Sequence, residues 1–579
     1  MYILGINAYH GDSSAALIKD GKLVAALEEE RIRRVKHWAG LPTEAIKFCL
    51  DFEGITLKDV DYIAISRDPK AHIFNKIIFI LKTRPKLGFV FNRLKNLRKV
   101  GGISNIFARE FSLNEAELRR KVYNVEHHKT HLASAFLVSP YEKAAVLSVD
   151  GMGDFVSTMW GIGEHSKMKI LGTVDYPHSL GFVYTAITQY LGFWKYGDEY
   201  KVMGLSAFGK PIYLNELRKL IKIKNNGKFE LNLDYFIFYK QGLGMVWEGV
   251  EPTVEKLFSN KLIRLLGPAR KKDEPLEKRH EDIAASLQAL YEEVFFHILE
   301  NLYRQTKYDT LCFAGGTAQN SLANGKIFKN SPFKNVYIPP AGYDAGTAVG
   351  AAFYLYNQIL DKPRSFVMTS PFWGPEYSEE NLKSQISNLK NRGNFLIKRL
   401  DDKKLIEKAA KFLADSKVVG WFQGRTEWGP RALGNRSILA NPCNLQMKDI
   451  LNLKIKKRES FRPFAPAILE EEVVNYFEEN KPVPFMEKVY SIKPEKRKAI
   501  PAVTHVDGTG RLQSVNKKDN PLYYELIKEF GRLTGVPILI NTSFNENEPI
   551  VNKPEEAIDC FLRTDMDVLI LGNYIITRN

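Results

Sequence analysis

Cysteine is scarce in this chain and never clustered. Cys49, Cys312, Cys443 and Cys560 are the only four in 579 residues, and no two of them form a C-x-x-C pair. Mostly apolar neighbours mark them as buried free thiols of a reducing compartment. Long apolar runs are missing as well. The most apolar window, 77–91, is interrupted by Lys82, Arg84, Pro85 and Lys86, so it cannot supply the roughly twenty apolar residues of a bilayer span. The start, Met-Tyr-Ile-Leu-Gly-Ile-Asn, has no basic region ahead of an apolar stretch. It reads as a first strand rather than a signal peptide, which makes cytoplasmic residence the default. Three familiar motifs are also absent: the Walker phosphate loop, the dinucleotide fingerprint and the H-E-x-x-H of zinc peptidases.

The composition is that of a globular chain with room for several cores, at 44% hydrophobic and 26% charged residues, so two or more domains are expected. The net charge of +16 is spread among 67 acids rather than packed into basic tails. An anionic small substrate explains it as well as a nucleic acid does. The densest excess is at 70–121, with thirteen lysines and arginines against three acids and aromatics interleaved. It reads as an inserted helical segment. Its surface suits an anionic or polymeric acceptor or an anionic membrane, or it is simply a solvated amphipathic face.

One plan occurs twice along the chain. Strands over 2–7, 14–19 and 22–28 form a meander, its last two strands joined at Asp20-Gly21, with the polar turn His10-Gly-Asp12-Ser-Ser between the first two. Strands over 144–149 and 157–162, joined by Gly151-Met-Gly153-Asp154, repeat it. Two such units suit an α/β chain of the actin-like or sugar-kinase-like kind, with nucleotide held between two related lobes.

Between the copies stands Val-Glu-His127-His128-Lys-Thr-His131. With 129–137 helical, His127 and His131 project from one face four residues apart, within reach of a single cation. Asp150 closes a buried strand, and Asp344, in Gly342-Tyr-Asp344-Ala-Gly346, ends another. Together the four make a mixed nitrogen and oxygen ligand set suited to Fe(II), Mn(II) or Zn(II), with positions left for ATP phosphates. Gly151 and Gly153, and Gly315-Gly316 with Asn320 at the end of strand 310–314, are glycine turns whose amides can approach phosphate. Glu199 and Lys201, just before a glycine turn, can contact a polar ligand, with a surface ion pair as the plainer alternative.

From 361 to about 380 the composition turns Pro-, Ser- and Gly-rich, the mark of a linker. Beyond it, Gly424-Arg425-Thr-Glu427-Trp-Gly429-Pro-Arg431-Ala-Leu-Gly434-Asn435-Arg436-Ser437 sets three arginines on a glycine-rich scaffold, where guanidinium forks can bind phosphate bidentately. Lys454, Lys456, Lys457, Arg458 and Arg462 follow. So dense a cationic cluster costs repulsion unless anions offset it. Arg511 adds a further guanidinium, and Asn541-Thr-Ser543-Phe-Asn545 a polar strand end.

On these motifs the chain resembles the O-carbamoyltransferases of nodulation-factor and antibiotic biosynthesis, which join a TsaD-like domain to a YrdC-like domain. The specific segments are His127-x3-His131, Val-Asp150-Gly, Gly315-Gly316-x3-Asn320, Asp344-Ala-Gly, Trp421 through Ser437, Arg458 through Pro466 and Asn541 through Asn545. Glu29-Glu-Arg31 and Lys36-His37-x2-Gly40-Leu-Pro42 also look like the family, and that region is expected near the acceptor. The turn at His10-Gly-Asp12 is one residue longer than the family's His-Asp pattern, which leaves the placement of Asp12 open.

The resemblance implies a TsaD-like domain over 1–362, a linker region over 363–400 and a YrdC-like α/β domain over 401–579. In the second domain carbamoyl phosphate and ATP, with Mg2+, would give carbamoyladenylate on Arg425, Arg431, Arg436, Ser437, Lys456, Arg458, Arg462, Arg511, Asn541, Ser543 and Asn545. In the first, a divalent metal, Fe(II) before Mn(II) or Zn(II), on His127, His131, Asp150 and Asp344 would hold the intermediate with Gly151, Gly153, Glu199, Lys201, Gly315, Gly316 and Asn320. The carbamoyl group would pass to a hydroxyl of a small molecule or glycan, with His10, Asp12 and Lys36 as catalytic candidates and His10 as the base. No stable nucleic-acid partner is expected, and a homodimer is the open expectation of assembly. A tRNA threonylcarbamoyl-type enzyme, a metallopeptidase and a noncatalytic basic binding module are the competing readings.

Overall fold

The computed structural model describes residues 1–83, 85, 103–242, 245–246, 251–389, 393–459 and 461–578. The part of the basic insertion from 86 to 102 lies outside the described residues. Contacts divide the chain into one unit of 1–320 and 327–368 and another of 321–326 and 369–579.

In the first unit, β1 (Tyr2–Asn7), β2 (Ser14–Lys19), β3 (Lys22–Glu28), β4 (Tyr62–Ile65) and β5 (Val122–Asn124) form a sheet in the order β3-β2-β1-β4-β5. The first three strands are an antiparallel meander, and β4 and β5 add in parallel. Asp20 and Gly21, at φ 48° and 76°, both take the left-handed conformation that a two-residue hairpin of the native twist requires. One face of this sheet buries Leu4, Ile6, Leu17 and Leu27 with Ala45, Ile46 and Cys49 of helix Thr43–Glu53.

A second sheet has β6 (Lys143–Gly153), β7 (Val156–Glu164), β8 (Lys167–Asp175), β9 (Thr310–Ala314) and β10 (Asn335–Tyr337) in the order β10-β9-β6-β7-β8. Again three strands form an antiparallel meander, and two more join in parallel. Strand for strand this is the topology of the first sheet. The repeated strand-turn-strand plan is therefore a repeated lobe, and the unit has the actin-like, sugar-kinase-like architecture.

Two helices join the lobes. Helix His127–Phe136 starts two residues earlier than its sequence pattern suggests, because the Glu126 carboxylate caps it, accepting from the amides of His128 and Lys129. Helix Thr347–Tyr354 crosses it so closely that a Cβ on Gly350 would lie 1.8 Å from the Thr130 carbonyl oxygen.

The second unit is built on an eight-stranded mixed sheet. Its strands are β11 (Phe395–Arg399), β12 (Val419–Phe422), β13 (Arg436–Ala440), β14 (Ala465–Leu469), β15 (Gln513–Val515), β16 (Ile538–Ser543), β17 (Val568–Leu571) and β18 (Tyr574–Arg578). The order is β11-β18-β17-β12-β13-β16-β14-β15. Helices Asp402–Ala414 and Pro521–Thr534 bury Leu405, Leu413, Tyr523, Leu526 and Phe530 against one face. Part of the stretch expected as linker is structured: helix Glu379–Leu389 precedes β11, which pairs along β18. Among the described residues no helix is long and apolar enough to cross a membrane.

Candidate functional site

In the first unit His127, His131, Asp150 and Asp344 converge, all buried, with one ligand atom from each within 4.8 Å of the others. The spacing of four on one helix brings the two imidazoles together, Nε2 to Nε2 at 3.0 Å. Asp150 reaches them from the end of β6, with Oδ2 at 3.6 Å from His127 and 4.0 Å from His131. Asp344, in the turn that opens helix Thr347–Tyr354, places Oδ1 at 3.5 and 3.3 Å. Two nitrogens that face each other across 3.0 Å cannot both carry a proton there. Burial drives His131 down, while the carboxylates of Asp150 and Asp344 overcome burial to raise His127. Against burial, the imidazoles of His10, His127 and His131 hold Asp344 well below the usual carboxylate range. Asp344 Oδ1 and His131 Nδ1 are buried with no hydrogen-bond partner among the described residues. Two imidazoles and two ionised carboxylates aimed at one point fit a divalent cation of the Fe(II), Mn(II) or Zn(II) kind.

The glycines around this quartet serve it directly. A Cβ on Gly153 would lie 1.9 Å from the His127 ring, so only glycine leaves that imidazole room. Gly315, at φ 98°, turns the chain after β9 so that the Gly316 amide donates to Asp150 Oδ1 at 2.8 Å. The turn expected to cradle phosphate thus commits one of its amides to orienting a ligand. Gly151 lies beside the Phe182 ring. Asn320 exchanges two hydrogen bonds with Gln288, whose Oε1 also accepts from Tyr184.

His10 Nδ1 sits 2.6 Å from Asp344 Oδ2, and its ring centroid is 4.9 Å from that of His127. Asp12, in a left-handed turn at φ 58°, is held by the Asn7 amide donating to the carbonyls of Gly11 and Asp12. Its carboxylate meets His37 Nδ1 at 2.7 Å. The long turn therefore gives His10 and Asp12 different partners. Burial lowers the His37 imidazole but Asp12 outweighs it, and the result is pushed up to about 9. Glu30 accepts from the His37 amide, so this trio is satisfied by its own bonds. Lys36 is half-buried and close enough for its charge to act on His37.

Glu199 and Lys201 are not partners of each other. Both lie in helix Glu199–Leu205, where Glu199 accepts from Thr185 at 2.6 Å and Lys201 pairs with Asp198 at 2.9 Å. Burial raises the Glu199 carboxyl. Sequence reasoning missed Tyr196. Its phenol is pushed well above the ordinary value by burial and by the charges of Asp344, Asp12 and Asp150, and its ring lies edge-on to His37 at 5.2 Å. No spacing rule singles out one tyrosine after Phe193-Trp-Lys.

In the second unit the predicted cations separate into three groups. Arg511 is pushed well below the ordinary guanidinium value by burial and by Arg431, Arg458 and Arg462. The charges of these three arginines therefore reach Arg511. Arg458 is aligned by the Asn452 side chain at 2.8 Å and by the Phe464 ring at 4.7 Å, while Arg462 lies 3.6 Å from Glu459. Lys456 is buried in an oxygen cradle. Its Nζ donates to Ser543 O and Oγ and to Asn545 O and Oδ1, at 2.5–3.2 Å. Burial and the Arg458 charge hold its ammonium well below the ordinary value.

Arg425 and Arg436 are spent on main-chain carbonyls. Arg425 donates to Gly374 and Trp373; Arg436, fully buried over the Phe422 ring, donates to Gln423, Asn435, Pro375 and Gly424. Ser437 accepts from Gly434, and Asn541 donates to Ala432 and Gln513. The organiser that sequence reasoning passed over is Glu427, the lone acid between Gly424 and Ser437. One of its oxygens accepts from the amides of Leu433, Asn435 and Arg436 at 2.8–3.0 Å. A single acid inside a basic glycine-rich loop was the available signal.

Residues 2–353 match the family described as Carbamoyltransferase N-terminus, and residues 410–578 match Carbamoyltransferase C-terminus. "Uncharacterized protein sll1178" of Synechocystis sp. is 38% identical, covering 100% of this chain and 97% of that one. Nodulation protein NolNO of Sinorhizobium fredii is 37% identical over 99% of this chain and 80% of its own. Nodulation protein NolO of Bradyrhizobium diazoefficiens is 38% identical over 78% and 79%. Both halves of the family are matched in order within one chain, and the likeness to these relatives spans both units, so the chain belongs to the carbamoyltransferase family and is an enzyme of that transferase class.

Proposed function

We propose that this enzyme is an ATP-dependent O-carbamoyltransferase that uses carbamoyl phosphate, makes carbamoyladenylate in its second unit and carbamoylates an acceptor hydroxyl in its first. The observation that carries the reading is the match of both units to the carbamoyltransferase family, together with the like charges of Arg431, Arg458 and Arg462 that act on half-buried Arg511. Like charges that act on one another are costly unless an anion is shared among them. Carbamoyl phosphate and the ATP phosphates are anions of the right kind. Water cleaves carbamoyl phosphate to carbamate and phosphate, and a carbamate oxygen then attacks the α-phosphorus of ATP as pyrophosphate leaves. The fixed guanidiniums stabilise the charge that builds on the phosphoryl oxygens, and the Lys456 cradle fixes the loop 543–545 beside them.

In the first unit the acceptor hydroxyl attacks the carbamoyl carbon and AMP departs. His10 takes the hydroxyl proton. Its Nδ1 lies against the Asp344 carboxylate as an ion contact, which leaves Nε2 for the acceptor. A divalent cation on His127, His131, Asp150 and Asp344 would supply positive charge for the phosphate of the leaving AMP. The acceptor is a small molecule or glycan.

The test is mass spectrometry of the purified enzyme with ATP, carbamoyl phosphate and a panel of hydroxylated metabolites. Carbamoyladenylate and a gain of one carbamoyl group on an acceptor are the expected products. His10→Asn should keep carbamoyl-phosphate-dependent ATP consumption and lose transfer by about 10²-fold or more. ATP turnover that requires tRNA and ignores carbamoyl phosphate would sink the reading.

A further inference from the structure

Helix Ile73–Thr83 is turned inside out. At about 100° per residue, Ile80, Ile73, Ile77, Leu81, Phe74 and Ile78 fall within one arc of about 160°, and all six are exposed, Phe74 by 80% and Leu81 by 71%. The side that packs on the protein is mostly polar. Asn75 donates to Asp175 at 2.6 Å, Lys76 to the Pro69 carbonyl at 3.1 Å, and only Phe79 is buried, against the rings of Phe155 and Tyr176. A helix that keeps its polar side inward and six large apolar side chains outward gains nothing from water on that face. The arrangement answers to something that covers it.

The charges around the arc indicate what. Lys82 lies at one margin, Lys70 precedes the helix, and residues 70–83 contain no acid, while Lys76 at the other margin is turned to the Pro69 carbonyl. A second copy of the chain would set this patch against itself, because a two-fold contact is self-complementary. The marginal lysines would then face lysines. An anionic lipid surface resolves both features at once. The apolar arc sinks to the acyl boundary while the lysine stems lie along it and their ammonium groups reach lipid phosphates. The helix has 11 residues, far short of a span and sufficient to lie in the interface.

We propose that helix Ile73–Thr83 is a docking face for an anionic bilayer, through which the enzyme binds membrane surfaces reversibly. The test uses the full-length enzyme sedimented with vesicles of phosphatidylcholine alone or mixed with phosphatidylglycerol. Binding is expected only to the mixed vesicles and should weaken as sodium chloride is raised. Phe74→Ser with Leu81→Ser should lower it by about tenfold or more, and each of Lys70→Gln and Lys82→Gln by about fivefold. Because Phe74 and Leu81 are exposed, the double variant should keep the wild-type melting temperature and its ATP consumption. Equal binding to both vesicle types overturns the proposal, as does binding that the double variant leaves unchanged. Light scattering that shows a dimer dispersed by the double variant, with no vesicle binding by wild type, assigns the face to a second copy instead.

Discussion

The quartet of the first unit and the arginine cluster of the second are opposite solutions to burying charge. Around His127 and His131 two carboxylates sit at 3.3–4.0 Å, so protons and imidazoles can balance the site while it waits for a cation. Arg511 is acted on by the like charges of Arg431, Arg458 and Arg462, of which Arg462 also lies 3.6 Å from Glu459. A guanidinium cannot shed its proton to escape, as a histidine can. On the proposed function, the first arrangement suits a bound cation and the second an anionic substrate.

The widest break between the two sites is expected from Asp344→Asn. It removes one carboxylate from the quartet and the partner of His10, and should lower carbamoyl transfer by ~10³-fold while carbamoyl-phosphate-dependent pyrophosphate exchange into ATP is retained. Metal content by elemental analysis should fall with it. An equal loss of exchange would show that the two units do not divide the work. Next, Arg511→Met should lower the exchange by ~10²-fold and at the same time raise stability by about 1 kcal/mol, the size of one like-charge pair screened as in bulk water. Phosphate should raise the melting temperature of the wild type more than that of the variant. A variant that is both less active and less stable would mean that the four arginines are offset by something other than substrate.

Smaller effects sharpen the same contrast. Glu427→Gln weakens three amide bonds that shape the arginine loop, and should cost about 1–3 kcal/mol in denaturant unfolding. For the Asp12–His37 pair the sign follows from a raised histidine. The imidazolium contribution to stability is complete below the ordinary histidine range and is lost as pH rises through about 9. Melting temperature should therefore fall more steeply in wild type than in His37→Gln between the ordinary histidine range and pH of about 9, and in parallel above it.

How much of this could be read in advance depended on whether the deciding interaction was local. The Asp20-Gly21 hairpin, the meanders and the His127–His131 face follow from neighbours within a few residues, where alternation, turn chemistry and helical spacing act. The convergence of Asp150 and Asp344 on that face was inferable because the sequence pattern sets each after an apolar run and beside glycines, although β6 continues through Asp150 to Gly153 and Asp344 lies in the turn before helix Thr347–Tyr354. Burial was not readable. Arg425, Arg431 and Arg436 look alike in a glycine-rich loop, yet Phe422 and six main-chain carbonyls capture the first and last, leaving Arg431 for the cluster. Glu199 and Lys201 likewise found Thr185 and Asp198 before each other. Helix Ile73–Thr83 has the periodicity of an amphipathic helix, and periodicity does not say which side faces in.

The repeated lobes give the quartet one further property. Asp150 lies within β6 of the second sheet, whereas Asp344 sits in the turn that leads into helix Thr347–Tyr354, whose Ala348 carbonyl lies against Gly5 of β1 in the first sheet. An ion held by all four residues would clasp one lobe to the other. Cation affinity and lobe closure then become a single equilibrium. Any acceptor that binds the closed form better must tighten the cation by the same factor, and the cation must repay the acceptor equally.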